Sequence, residues 1–197
     1  GNNPLAIGVP CDGGEPIVLD MALSEAALGK VRLAAQEGRE IPPTWATDAD
    51  GTPTTDPKAA IEGLLLPAAG PKGYGLAFMV DVLTGVLSGG AFGDAVRGLY
   101  ADTATPNDCA HLFIALDPER FGADGALAGR VADLARQIHD STTAPGVERV
   151  LVPGQLEAER HADARANGVP VPDSVLASLR ETAAAVGAEL PEPVPSA

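Results

Sequence analysis

Residues 65–89, LLPAAGPKGYGLAFMVDVLTGVLSG, put one lysine in a loop of small residues and then run straight into an apolar helical pattern. Leu76, Met79, Val80, Leu83, Val86 and Leu87 recur at helical spacing, with Ala77, Phe78 and Val82 on the other faces. A helix over 73–88 that is apolar nearly all round is expected at the centre of a fold. The loop before it carries chemistry of its own. Small residues let backbone N–H groups approach a ligand closely, and a helix start presents the positive pole of its dipole. An anion there would gain from Lys72 and from the amides of Gly73 and Gly75. Those parts suit a phosphate or diphosphate, and they equally describe a glycine-rich helix start with an exposed, solubilising lysine. Neither the Walker A spacing nor a GxGxxG turn is present.

Upstream, residues 5–9 (LAIGV) and 16–19 (PIVL) read as neighbouring strands around the turn CDGGE. The second strand delivers Asp20 at its C-terminal end, where a carboxylate can hold a ribose hydroxyl or orient a catalytic group. The competing reading is that Asp20 satisfies local backbone N–H groups. Ser24 is placed to cap a helix over 25–37, which Gly38 would stop. Residues 41–58 are dense in Pro, Thr, Asp and Gly and form a long loop that its lone Trp45 should pack down.

Downstream, residues 111–116 (HLFIAL) read as a buried strand ended by DPERFG. Helices follow over 124–140, 156–167 and 173–186, the last with Asp173 as N-cap and Gly187 as stop. Between the first two, VERVLVPGQ offers a short strand and a turn. The tail over 188–197 is too rich in Pro and polar residues to pack and is expected to be disordered. No internal repeat is found.

With 197 residues and 45% hydrophobic content, the chain can fill a globular core. A net charge of -14 repels nucleic-acid phosphates and anionic lipid surfaces, which speaks against either as the main partner. No apolar run reaches membrane-spanning length and no signal-peptide pattern opens the chain, so the expectation is a soluble, cytoplasmic protein. Cys11 and Cys109 lack CxxC spacing and read as reduced thiols. His111, His139 and His161 show no ligand spacing, and the acidic loop DADGTPTTD lacks the register of a calcium loop, so no metal site is expected. Asp108, Cys109 and His111 lie close in sequence, but catalytic Cys/His pairs meet from distant segments, and the cluster reads as structural. A cysteine hydrolase built on Cys109 is the weakest of the functional readings.

Taken in order and at these spacings, GNNPLAIGVP, VLDMALSEAALGK, WATDADGTPTTDP, the 65–89 block, HLFIALDPERFG and VLVPGQ resemble the malate/L-lactate dehydrogenase family that is unrelated to the Rossmann-fold lactate dehydrogenases. The resemblance covers about residues 1–187. It implies an α+β fold, with a mixed β-sheet layered with helices in a non-Rossmann NAD(P)-binding domain over 1–120. A helical segment over 121–187 follows. It implies a homodimeric enzyme that moves a hydride between NAD or NADP and the C2 of a small 2-oxo acid, 2-hydroxy acid or cyclic imino acid. By similarity Val18, Leu19, Asp20, Met21 and Ala22 lie along the cofactor, Lys72 and Gly73 contact it, and Pro153, Gly154 and Gln155 close on it.

The departures from that pattern bear on substrate more than on fold. The family usually carries threonine at Leu23, glutamate at Gln155, glycine at Thr44 and PSGG where this chain has PAAG. A Ser-His pair whose histidine donates the proton in reduction belongs to an N-terminal region that this sequence does not include, and the chain opens on GNNPLAIGVP as though entered in the middle. The expectation is therefore the C-terminal portion of the enzyme, inactive without its N-terminal segment and packing its helical part beside it. The alternative is a non-catalytic relic that keeps the fold as a binding or assembly module.

Overall fold

The computed structural model describes residues 3–98 and 104–191. Two strands, β1 (Leu5–Val9) and β2 (Ile17–Met21), form an antiparallel hairpin in which Val9 faces Ile17 and Ala6 faces Asp20. Six α-helices follow: α1 (Leu28–Glu37), α2 (Pro57–Glu62), α3 (Pro71–Asp81), α4 (Leu127–His139), α5 (Gln155–Asn167) and α6 (Asp173–Val186). A five-residue π-helical turn, Val82–Val86, prolongs α3. The fold class is α+β, as the sequence implied.

The chain divides into two compact units, Gly1–Leu134 and Ala135–Ala197, with the division inside α4. In the first unit the core is Val31 and Ala34 of α1, Ala60 of α2, and Ile41 and Ala46 of the connecting loop. Trp45 packs against this cluster together with Leu28 and Leu65, as expected of it. The loop is held by backbone pairing, because Thr47 N–H donates to Leu64 C=O at 2.8 Å and Ile41 N–H to Thr55 C=O at 3.0 Å. Asp56 caps α2 by accepting from the Lys58 amide at 2.9 Å, and Pro57 opens the helix where its missing N–H is harmless.

Several local expectations need correction. α1 starts at Leu28, not Glu25, and Ser24 does not cap it. The reason is competition: Glu25 N–H donates to Leu66 C=O at 2.7 Å, and Ser24 pairs with Pro67 in a β-bridge. Gly38 does end α1 in left-handed backbone, donating to Ala34 and Ala35 carbonyls. α6 is flanked at its N-terminus by Pro172, so Asp173 is its first residue and not its cap.

Residues 111–116 form no strand. Their apolar side chains stand in the open, with Phe113 90% exposed and Leu112, Ile114 and Leu116 also exposed. The short strand expected within VERVLVPGQ is likewise absent, although its turn is present. The helix expected to be central is not covered either: Leu76, Phe78, Met79, Leu83, Val86 and Leu87 are all exposed. The expected disorder over 188–197 falls, for 192–197, outside the described residues. Among the described residues no helix is long and apolar enough to cross a membrane.

Candidate cofactor site

In the first unit the chain keeps pairing beyond the hairpin. Past β2 the chain runs beside residues 66–68, where Ala68 N–H donates to Leu23 C=O at 3.1 Å and the Ser24–Pro67 bridge continues the pairing. This ties the exit of β2 to the loop that opens α3. Leu23 is 3% exposed, so its side chain is part of the packing at this junction.

The loop itself is sharply bent. Ala69 and Gly70 take positive φ values of 52° and 58°, and Gly70 combines this with a ψ of -125°, a backbone that only glycine adopts easily. Gly73 sits against the loop so closely that a Cβ there would lie 1.9 Å from the Ala68 carbonyl oxygen. α3 begins at Pro71, two residues before the expected start, so Lys72 and Gly73 occupy its first turn and Gly75 lies within the ladder. No side chain caps this helix start. The amide of Gly73 is therefore one of the unpaired first-turn donors, and the amide of Gly75, counted as available on sequence, is not. Lys72 is exposed and, among the described residues, has no ion-pair partner.

On β2 exposure alternates, with Val18 and Asp20 on the open face and Ile17, Leu19 and Met21 more covered. The Asp20 carboxylate accepts no hydrogen bond among the described residues, so it caps no local N–H group. One carboxylate that the sequence reading overlooked does approach the loop, since Ala69 N–H points to Glu25 Oε2 at 3.4 Å. Two shallow hollows in the first unit, one lined by Lys30, Ile41 and Trp45 and the other by Gly38 and Lys58, do not include Asp20, Lys72 or Gly73.

In the second unit, Pro153 and Gly154 form the turn that opens α5, with Gly154 at a φ of 80°. Gln155 is bonded at both ends of its amide. Its Oε1 accepts from Val152 N–H at 3.2 Å and lies 2.9 Å from His139 Nε2, and its Nε2 donates to Glu159 Oε1 at 3.1 Å. Arg149 grips Glu159 with two parallel bonds of 2.7 and 2.6 Å. Hydrogen bonds from Arg149 and then Gln155 hold the Glu159 carboxyl below its usual range, and Glu159 in turn raises Arg149. The sequence reading named Gln155 but missed Glu159, Arg149 and His139. The spacing Gln155 to Glu159, one helical turn, was the signal available.

Cys109 and His111 make no hydrogen bond to each other, and the His111 ring lies against Phe113 with centroids 6.4 Å apart. Among the described residues no group of His, Cys, Asp and Glu could hold a metal ion.

A family model described as malate/L-lactate dehydrogenase matches residues 1–180. The chain belongs to the malate/L-lactate dehydrogenase family. It is 40% identical over 175 residues to ureidoglycolate dehydrogenase (NAD(+)) of Escherichia coli (strain K12), covering 89% of this chain and 50% of that protein. It is 38% identical over 180 residues to Delta(1)-pyrroline-2-carboxylate reductase of Ancylobacter novellus, covering 91% and 52%. Among solved structures, sulfolactate dehydrogenase from Methanocaldococcus jannaschii superposes with a TM-score of 0.77 at 36% identity, over 95% of this chain and 53% of that one. The chain thus spans about half the length of the curated family members it matches.

Proposed function

We propose that this chain is the C-terminal part of an NAD(P)-dependent oxidoreductase that transfers a hydride between the nicotinamide cofactor and a small 2-hydroxy or 2-oxo acid, or a cyclic imino acid. The observation that carries the reading is the junction of β2 with the α3 loop. It ties the residues that follow the Asp20 strand to a loop that opens an uncapped helix start, with the exposed Lys72 in the first turn and Gly73 packed closely against the loop backbone. A diphosphate needs fixed N–H donors and a cation, and a ribose needs an acceptor. Membership of a dehydrogenase family points the same way.

In this reading Lys72 and the Gly73 amide bind the diphosphate, and Asp20 accepts a hydrogen bond from a sugar hydroxyl, orienting the nucleotide along Val18–Ala22. The turn of Pro153, Gly154 and Gln155 in the second unit is assigned to dinucleotide binding by the resemblance to the family. When bound, the dinucleotide supplies or accepts the hydride. The proton for the carbonyl or imine comes from a histidine in the N-terminal segment of the enzyme. Residues 1–120 then act as part of the cofactor domain and 121–187 as a helical segment packed beside the N-terminal portion. The active species is a soluble, cytoplasmic homodimer.

Titration of NADH and NADPH into the full-length enzyme tests the reading. Lys72→Ala should raise the dissociation constant by about tenfold or more, the scale of a hydrogen bond to a charged group. A non-catalytic relic would bind neither dinucleotide.

A further inference from the structure

We propose that Gln155 is a positioning residue whose side chain shapes the Val152–Gly154 turn and does not itself touch the dinucleotide; this rests on the cofactor reading above. An amide side chain offers two acceptor sites on its oxygen and two N–H donors on its nitrogen, and three of the four are committed within the protein. Oε1 takes the Val152 N–H and faces His139 Nε2, while Nε2 donates to Glu159. A return bond from Gln155 N–H to Val152 C=O at 3.2 Å closes the turn around Pro153 and Gly154 from both ends. Glu159 cannot drift, because Arg149 holds both its oxygens. The backbone of the turn is then the surface left for a ligand.

The same geometry explains why this chain carries an amide at 155. A carboxylate there would set its oxygen about where Nε2 now lies, 3.1 Å from Glu159 Oε1, and two ionised carboxylates repel at that distance. Positions 155 and 159 therefore act as one acid–amide pair that can be exchanged.

The test is a swap in the full-length enzyme, comparing Gln155→Glu, Glu159→Gln and the double variant. Gln155→Glu should raise the dinucleotide dissociation constant and KM about tenfold with kcat at saturation nearly unchanged, and speed hydrogen exchange at Val152 N–H by a similar factor. The double variant should recover both to within about threefold, because the amide then donates from 159 to 155. Folding of each variant is checked by its circular dichroism melt, with Gln155→Ala as a second probe of the same turn. If the swap fails to restore binding in folded protein, Gln155 touches the dinucleotide directly and the proposal falls. Unchanged binding and exchange in Gln155→Glu would also overturn it. Should the unsubstituted enzyme bind no dinucleotide, the functional reading fails, while loss and recovery of Val152 protection still decides the positioning role.

Discussion

Gly73 is the residue on which the candidate site turns. Its missing Cβ is what allows the Ala68 carbonyl to lie against the first turn of α3. Gly73→Ala would force backbone apart and should lower unfolding free energy by about 1–3 kcal/mol, read from the shift in urea midpoint, while also weakening dinucleotide binding. Asp20 behaves differently because nothing in the described structure leans on it. Asp20→Asn should reduce turnover of the full-length enzyme far more than it shifts the melting temperature. A pure loss of stability with normal turnover would return Asp20 to a structural role.

At the scale of elements, two anchors can be separated by experiment. The cap of α2 is a single side-chain bond from Asp56, so Asp56→Ala should cost about 1 kcal/mol in urea denaturation without touching the site. The Arg149–Glu159 pair, anchored on α5 through Glu159, depends instead on ionisation. Because the folded protein holds the Glu159 carboxyl below its ordinary range, the unfolded chain takes up that proton first as pH falls. The contribution of the Arg149–Glu159 pair is then fully present above the ordinary carboxylate range and is lost as pH drops through the lowered value. Melting temperatures followed from neutral to acid pH should decline less steeply for Glu159→Gln than for the unsubstituted protein. Both partners are well exposed, so the effect belongs with modest surface ion pairs.

At the scale of the whole molecule, the apolar surface along α3 and over 111–116 exceeds what a chain in water ordinarily leaves bare. The 197-residue chain by itself should bind the dye ANS strongly, and adding the N-terminal segment proposed above should reduce that fluorescence if the segment covers these faces. An unchanged signal would mean that the N-terminal segment packs elsewhere.

The sequence by itself determined the elements whose signals are local. The body of α1 and its Gly38 stop, the two hairpin strands, the helices after residue 124 and the turn at Pro153–Gly154 all follow from period and turn chemistry acting over a few residues. It also placed Lys72 and Gly73 at a helix start and singled out Asp20. Only the tertiary structure decided what these residues meet. Ser24 lost its capping role because Leu66, more than forty residues away, offers the competing backbone bond at Glu25. The Gln155, Glu159, Arg149 and His139 network depends on side chains converging in space, which no short window reveals. Residues 111–116 show the reverse limit. Their apolar run expresses a preference for a sheet, yet a strand exists only where a neighbouring backbone accepts its hydrogen bonds, and none lies alongside this one among the described residues.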